Sequence, residues 1–174
     1  NMPEPLELRG LRVGVPICED IWFADVCAHL KARGAELLIS PNGSPFERGK
    51  HFKRLQHVTA RVKETGLPLV YVNQIGGQDE LVFDGASFAV NGDGEVAAQR
   101  PAWQAEAHML TLSETDKGWR VTPQEVAMID GELDNIYCAA VMGLRDYVEK
   151  NRFPGVLLGL SGGIDSAICT AMAV

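Results

Sequence analysis

The first half of the chain alternates short apolar blocks with amphipathic stretches. Apolar runs at residues 12–17, 37–40 and 67–73 have the length and composition of buried strands. Between them, residues 21–32 and 51–64 carry apolar side chains at helical spacing, and a glycine that can end a helix at low steric cost follows each stretch. This order of strand, helix, strand, helix and strand predicts a layered α/β domain.

The pattern then changes to shorter strands. Residues 86–90 and 95–99 flank the turn sequence NGDG, which is a strong signal for a hairpin. Residues 108–112 have the pattern of one more strand. Residues 113–122 are mostly polar and are interpreted as a linker. We therefore place a first domain at residues 1–112.

A second unit is predicted at residues 123–174. Thr122 and Glu125 have the spacing of a capping box, so a long helix is expected up to about Asn151. Residues 156–160 form an apolar run that predicts a strand, and a glycine-rich turn leads from it into a final helix. That helix, with the terminal sequence AICTAMAV, has no stop signal, which predicts that the parent chain continues beyond it.

Composition and charge narrow the functional classes. The 174 residues are 46% hydrophobic and 22% charged, as in a globular protein. No apolar run approaches the ~20 residues of a membrane-spanning helix, and the first residues lack the form of a signal peptide. The net charge of −7 argues against a nucleic-acid partner, because phosphate binding needs a positive field.

The four cysteines form no CxxC pair, and their spacing indicates neither a zinc site nor a disulfide framework. A reduced, cytoplasmic setting is therefore predicted. Cys27, Cys138 and Cys169 lie in apolar helical patterns and are interpreted as small core residues. Cys18 follows a predicted strand and precedes a helix, where a nucleophile would be presented outward. Two acidic residues follow it and no histidine is placed as its partner, so the local sequence leaves an inert thiol and a nucleophile equally open.

The sequence GLSGGIDSA follows an apolar strand and opens a helix, the setting in which backbone N–H groups close around an anion. Two glycines allow close approach, Ser161 and Ser166 add hydroxyl donors, and Asp165 suits a bridging Mg²⁺. The loop lacks the lysine of a Walker A motif and the GxGxxG spacing of dinucleotide-binding folds. An ordinary glycine-rich turn is the alternative. The predicted ATP contacts are Gly159, Leu160, Ser161, Gly162, Gly163, Ile164, Asp165 and Ser166.

The segments GVPICEDIW, NGSPFERGK and YVNQIGGQDELVFDGASF resemble the C-terminal half of a nitrilase-superfamily glutaminase domain, an αββα sandwich. That superfamily uses a Cys–Glu–Lys triad, and Cys18 matches the nucleophile. The matching Glu and Lys would precede this chain. The resemblance implies that Glu19, Ser44 and Lys50 contact glutamine, with Arg54 as a weaker candidate. Local charge alone favours a solvated helix turn for Lys50 and a turn-forming role for Ser44.

The loop SGGIDS resembles the pyrophosphate loop of the ATP-pyrophosphatase superfamily, whose domains are Rossmann-like adenine nucleotide α-hydrolases. Both resemblances together match the family of glutamine-dependent NAD⁺ synthetases. They imply glutamine, ATP and deamido-NAD⁺ as substrates, Mg²⁺ as a cofactor, and a homo-oligomer formed through the synthetase domain. A stand-alone carbon–nitrogen hydrolase and a non-catalytic scaffold remain alternatives. Without the triad Glu and Lys, these 174 residues alone are expected to show no glutamine hydrolysis in an ammonia-release assay.

Overall fold

A computed structural model describes residues 2–174; residue 1, which opens the predicted first domain, lies outside the described residues. The strands are β1 (Leu6–Leu8), β2 (Leu11–Gly14), β3 (Leu37–Asn42), β4 (Leu69–Asn73), β5 (Ile75–Gln78), β6 (Leu81–Asp84), β7 (Phe88–Val90), β8 (Val96–Gln99), β9 (Leu112–Thr115) and β10 (Gly118–Val121). The helices are a 3-10 helix at Cys18–Trp22, then α1 (Ala24–Ala32), α2 (Lys50–Thr65), α3 (Glu132–Lys150) and α4 (Ile164–Ala173).

Six strands form the main sheet in the order β1-β2-β3-β4-β7-β8. β2, β3 and β4 are parallel, and α1 and α2 supply the crossovers that parallel neighbours require. β7 returns antiparallel to β4 and pairs with β8 across the NGDG turn, so the predicted hairpin is confirmed. The predicted layered α/β arrangement is therefore present.

The main core lies between this sheet and the two crossover helices. Inward-facing residues of α2 recur at helical spacing, and Val58 and Val62 are fully buried against Leu38 and Leu69 of the sheet. α1 adds Leu30 to the same cluster. The sheet and these helices thus fix the carboxyl ends of β2 and β3, which lead into the loops carrying the candidate chemistry.

Residues 113–122, interpreted as a linker, contain regular secondary structure. β9 and β10 pair as an antiparallel hairpin, and Val121 is fully buried. The side chain of Asn91, also fully buried, bonds both backbone groups of Val121: Val121 N donates to Oδ1 at 2.8 Å, and Nδ2 donates to Val121 O at 3.0 Å. Residues 113–118 are all exposed, which accounts for their polarity. The domain boundary itself stays a prediction.

The predicted capping box at Thr122 and Glu125 is wrong. α3 begins at Glu132, with Gly131 as its N-cap. The backbone before it runs beside β8 instead: Gln124 N donates to Ala97 O at 2.8 Å, and Gln99 N donates to Glu125 O at 3.1 Å. These tertiary hydrogen bonds satisfy backbone groups that a helix would otherwise have paired internally.

α3 packs on the β5–β6 hairpin, where Gly77 N donates to Asp146 Oδ2 at 2.7 Å. α4 contacts α3, and the final helix is confirmed. The predicted strand at residues 156–160 is not formed: these residues are exposed and have no ladder partner among residues 2–174. Cys169 is exposed rather than in the core, because only one face of α4 is covered by described elements.

Among residues 2–174, no helix combines the length and apolarity needed to cross a bilayer.

Candidate functional site

A cavity of about 340 Å³ opens beside Cys18, a volume in the range of small-molecule sites. Its walls come from the 3-10 helix, the loop after β3, the first two turns of α2, and β4. The lining residues are Cys18, Glu19, Ile21, Trp22, Asn42, Gly43, Ser44, Pro45, Lys50, Lys53, Arg54, His57 and Tyr71. Cys18 and three further predicted glutamine contacts, Glu19, Ser44 and Lys50, therefore share one cavity.

Cys18 occupies a strained turn between β2 and α1. Its φ of 51° lies in the left-handed region, which costs a non-glycine residue of order 1–3 kcal/mol and is concentrated at functional sites. The turn is closed by Asp20, whose Oδ2 accepts a hydrogen bond from Ile17 N at 2.7 Å. The side chain of Cys18 is half-buried and borders the cavity. An accessible sulfur on a strained turn suits a nucleophile better than an inert core thiol.

Cys27 shows the contrasting environment. It is fully buried in the main core, and burial raises the pKa of its thiol to about 11. The interpretation of Cys27 as a core residue is therefore confirmed. Cys138 is half-buried on α3, so the core interpretation holds for it only in part.

Ser44 is held by buried polar side chains. Its backbone N donates to Asn73 Oδ1 at 3.0 Å, and its Oγ accepts from Arg54 Nε at 3.0 Å. Arg54 is 4% exposed and also forms an ion pair with Asp84 at 2.8 Å. The weaker prediction that Arg54 binds glutamine loses support, because its guanidinium donors are already directed at protein groups.

Lys50 begins α2 and reaches the cavity wall. Its Nζ donates to Glu47 Oε1 at 2.7 Å, and this hydrogen bond lowers the pKa of the Glu47 carboxyl. An ammonium group carries three donors, so the contact with Glu47 leaves two for a ligand. The arrangement is compatible with carboxylate binding by Lys50.

Several charged and aromatic residues of the cavity were not predicted as site residues. Lys53 lies one helical turn after Lys50, and its i+3 spacing was the available signal for a shared face. Tyr71 comes from β4, and burial raises the pKa of its hydroxyl. Nothing in the local sequence distinguishes Tyr71 from any other strand aromatic.

An aromatic pair on the same wall was missed as well. Trp22 stacks on His57 with ring centroids 5.9 Å apart. Burial lowers the pKa of His57, and the charges of Arg61 and Lys50 lower it further. The two rings are 35 positions apart in the sequence, so their contact has no local signal.

The loop before α4 is a glycine-rich turn that ends at the N-terminus of the helix. Gly162 has a φ of 85°, which favours glycine, and Gly163 is the N-cap of α4. Ser161 Oγ and Ser166 Oγ lie 3.0 Å apart, so both predicted hydroxyl donors face the same turn. Asp165 is exposed on the first turn of the helix. The predicted ATP contacts at residues 159–166 are thus contiguous and accessible.

The single carboxylate of Asp165 limits what the loop could do with a metal. No group of three or more His, Cys, Asp or Glu side chains suited to a metal occurs within residues 2–174. Mg²⁺ is usually held by one or two carboxylates together with substrate phosphates and water. Asp165, beside a turn that is predicted to bind phosphate, therefore fits an ion that arrives with a nucleotide, and does not form a cage by itself.

The start of α3 contacts the loop between β3 and α2, which also carries Ser44. Arg48 pairs with Glu132, and Trp103 Nε1 donates to Asn135 Oδ1 at 2.7 Å. The ring of Trp103 meets the ring of Phe46 edge-on, with centroids 5.1 Å apart. The start of α3 thereby lines a second cavity, which shares Lys50 with the Cys18 cavity.

Two family models match the chain. The carbon–nitrogen hydrolase model matches residues 2–120, and the NAD synthase model matches residues 136–174. The first match includes every residue that lines the Cys18 cavity, and the second includes the phosphate loop.

Individual relatives carry both parts. The glutamine-dependent NAD⁺ synthetase of Rhodobacter capsulatus is 49% identical over 170 residues, covering 98% of this chain and 31% of that protein. The solved structure of the glutamine-dependent NAD⁺ synthetase of Acinetobacter baumannii with ADP matches at a TM-score of 0.89 and 42% identity, covering 98% of this chain and 32% of that one. The chain thus spans about a third of the length of these relatives.

A third match covers a smaller share of the chain. The amidase of Nesterenkonia sp. AN1, in a mutant form with acrylamide added at its active-site cysteine, matches at a TM-score of 0.52 and 28% identity. The match covers 57% of this chain and 39% of that one.

Proposed function

Because the chain belongs to the carbon–nitrogen hydrolase family, we propose that it supplies part of a glutamine-dependent NAD⁺ synthetase. The observation that carries the proposal is the presence, in one polypeptide, of a strained cysteine on a cavity with charged side chains in its wall and of a glycine-rich turn at the N-terminus of a helix. The first would release ammonia from glutamine, and the second would bind the ATP that activates the acceptor. The activity would belong to a protein of the relatives' length that contains these residues.

In the first half-reaction, Cys18 Sγ attacks the carboxamide carbon of glutamine. The C–N bond of the tetrahedral intermediate breaks, the nitrogen takes a proton and leaves as ammonia, and a thioester remains. Water then attacks the thioester, the C–S bond breaks, and glutamate is released. The adduct at the active-site cysteine of the Nesterenkonia amidase supports a nucleophilic role for Cys18.

The other cavity residues would hold the amino-acid part of glutamine. The Lys50 ammonium would bind the α-carboxylate, and the carboxylate of Glu19, exposed at the same cavity, would face the α-ammonium. Ser44 Oγ accepts from Arg54, so its own proton is left to donate to Tyr71 on the same cavity wall or to a ligand in the cavity. These roles assign one contact of opposite charge to each charged group of the amino-acid part of glutamine.

In the second half-reaction, the nicotinate carboxylate of deamido-NAD⁺ attacks the α-phosphorus of ATP and pyrophosphate leaves. Ammonia then attacks the acyl carbon, AMP leaves, and the amide of NAD⁺ is formed. The role of residues 159–166 would be to bind the polyphosphate through backbone N–H groups and the hydroxyls of Ser161 and Ser166. Asp165 would hold Mg²⁺, which when bound neutralises part of the phosphate charge.

The proposal includes the setting and the partners. We infer a cytoplasmic protein, supported by four free cysteines among the described residues. The division into a glutaminase part, residues 1–112, and a synthetase part, residues 123–174, is kept as a proposal, as is assembly of copies through the synthetase part.

Glutamine-dependent NAD⁺ formation by the full-length chain containing these residues tests the proposal directly. With ATP, deamido-NAD⁺ and glutamine, we expect NAD⁺, AMP, pyrophosphate and glutamate in equal amounts. Hydrolysis of glutamine without any use of ATP would instead leave only the carbon–nitrogen hydrolase activity, and the synthetase proposal would fail.

Lys50→Met in the full-length chain is expected to raise the KM for glutamine by about tenfold, the effect of losing one charge-assisted contact. Synthesis with free ammonia is expected to stay at the wild-type rate, because ammonia has no carboxylate to bind. Steady-state kinetics with each nitrogen source measure both effects.

Lys63→Met is the matched control, since Lys63 is an exposed lysine on the last turn of the same helix. It should leave the KM for glutamine unchanged. An unchanged KM in the Lys50 variant would exclude Lys50 as the carboxylate contact.

A further inference from the structure

The cavity wall at Ser44 depends on a buried charge that has no direct part in any step of the proposed reaction. Arg54 is 4% exposed, and its guanidinium donates four hydrogen bonds. Nε reaches Ser44 Oγ at 3.0 Å, Nη2 reaches Ser44 O at 2.8 Å and Pro45 O at 3.0 Å, and Nη1 reaches Asp84 Oδ2 at 2.8 Å. Three of these four bonds end on the loop that borders Cys18.

The partners of Arg54 make the arrangement rigid. Asp84, at the end of β6, is 5% exposed, and Asn73, at the end of β4, is 7% exposed. Asn73 completes the set: its Oδ1 accepts from Ser44 N at 3.0 Å, and its Nδ2 donates to Ser44 O at 3.1 Å. The backbone N–H, the carbonyl and the hydroxyl of Ser44 are all held by side chains from α2 and β4.

A gain in folding stability alone is a weak reason for burying the Arg54–Asp84 ion pair. A buried ion pair loses the hydration of both charges, and replacing the pair by apolar residues is often neutral or stabilising. The fork of the guanidinium does fix direction, because its N–H groups are coplanar. The bond from Arg54 Nε occupies one lone pair of Ser44 Oγ, which leaves the hydroxyl proton as a donor to Tyr71 or to a ligand in the cavity.

We propose that Arg54, paired with Asp84, is a positioning residue that sets the orientation of the Ser44 hydroxyl and its loop for glutamine binding. This inference rests on the proposed function. It replaces the idea of a direct glutamine contact by Arg54 with an action exerted through Ser44.

Arg54→Lys in the full-length chain tests the inference, because lysine keeps the charge and loses the fork. We expect the KM for glutamine to rise by about tenfold, as for a lost hydrogen bond to a charged group. The rate with free ammonia should remain at the wild-type value. Arg120→Lys is the matched control, since Arg120 forks onto Asp93 and Glu95 at a surface turn; its KM should not change.

A double-mutant cycle with Ser44→Ala separates positioning from general damage. If Arg54 acts through the Ser44 hydroxyl, the combined variant should lose less than the product of the two single losses. Losses that multiply, an unchanged KM in Arg54→Lys, or a parallel fall of the ammonia-dependent rate would each overturn the inference.

Two further measurements separate a loss of positioning from unfolding and from a failure of the proposed function. If Arg54→Lys lowers the thermal midpoint so far that little folded protein remains, the double variant Arg54→Met, Asp84→Leu is measured in its place. This double variant removes both buried charges. That pair should fold and still show the raised KM, and a normal KM would overturn the inference. Absence of glutamine-dependent NAD⁺ formation in the wild type would count against the proposed function instead.

Discussion

Cys18→Ala in the full-length chain is expected to abolish glutamine-dependent NAD⁺ formation, with a loss of at least about a thousandfold, as for removal of a covalent nucleophile. The alanine variant retains no atom that can form the thioester. NAD⁺ formation with free ammonia should continue, because ammonia enters the second half-reaction directly. Rates measured with glutamine and with an ammonium salt, at a pH where free ammonia is present, give both results.

Cys27→Ala is the matched control for this experiment. Its sulfur is fully buried, and its raised pKa keeps it protonated as a thiol. Both activities should persist in that variant, apart from a lower thermal midpoint due to the small cavity. Glutamine-dependent activity that survives in Cys18→Ala would remove Cys18 from the reaction.

Asp165→Asn is expected to give a second, different pattern. NAD⁺ formation should fall by about a hundredfold or more with either nitrogen source, the size typical for one preorganised electrostatic contact at a reacting group. The amide keeps the volume of the carboxylate but loses the charge that holds Mg²⁺. Glutamine hydrolysis should persist, because Cys18 lies in the other part of the chain.

The readout for Asp165→Asn is the rate of AMP and NAD⁺ formation at increasing Mg²⁺. A higher Mg²⁺ requirement would accompany the loss if the carboxylate holds the ion. Glu149→Gln, at an exposed position on α3, is the control and should match the wild type. A normal rate in Asp165→Asn would leave the phosphate loop without its assigned metal contact.

The two variants together test the proposal more strongly than either alone. Loss of glutamine use with retained ammonia use locates the nucleophile. Loss of synthesis with retained glutamine hydrolysis locates the nucleotide site. Parallel loss of every activity in both variants would indicate misfolding, and the thermal midpoints would then show it.

Sequence alone predicted most of the regular structure. The parallel strands, both crossover helices, the NGDG hairpin and the final helix were found near their predicted positions. The fold class is confirmed as well, as a nitrilase-like part followed by the start of an NAD synthase domain. These features depend on periodicity, turn glycines and short motifs, which are local properties of the chain.

Two differences from the predicted secondary structure lie where distant groups bond to the backbone. The capping-box spacing at Thr122 was genuine, yet the backbone there bonds to β8. The polar residues 113–122 form a hairpin whose last residue, Val121, is fixed by Asn91, 30 positions away. Neither partner can be identified from nearby sequence, since the bonds exist only after the sheet has assembled.

The chain by itself therefore determined where its candidate chemistry begins: Cys18 at a strand end and the loop at residues 159–166 before a helix. Both depend on turns between neighbouring segments. The glycine and serine spacing of the loop at residues 159–166 can be read directly from the sequence. Tertiary structure decided which side chains join Cys18. It brought Tyr71 and His57 to the cavity, and it made Arg54, a weaker candidate for a glutamine contact, a buried support for Ser44. Burial and long-range hydrogen bonds made that difference, because they depend on contacts between residues far apart in the chain.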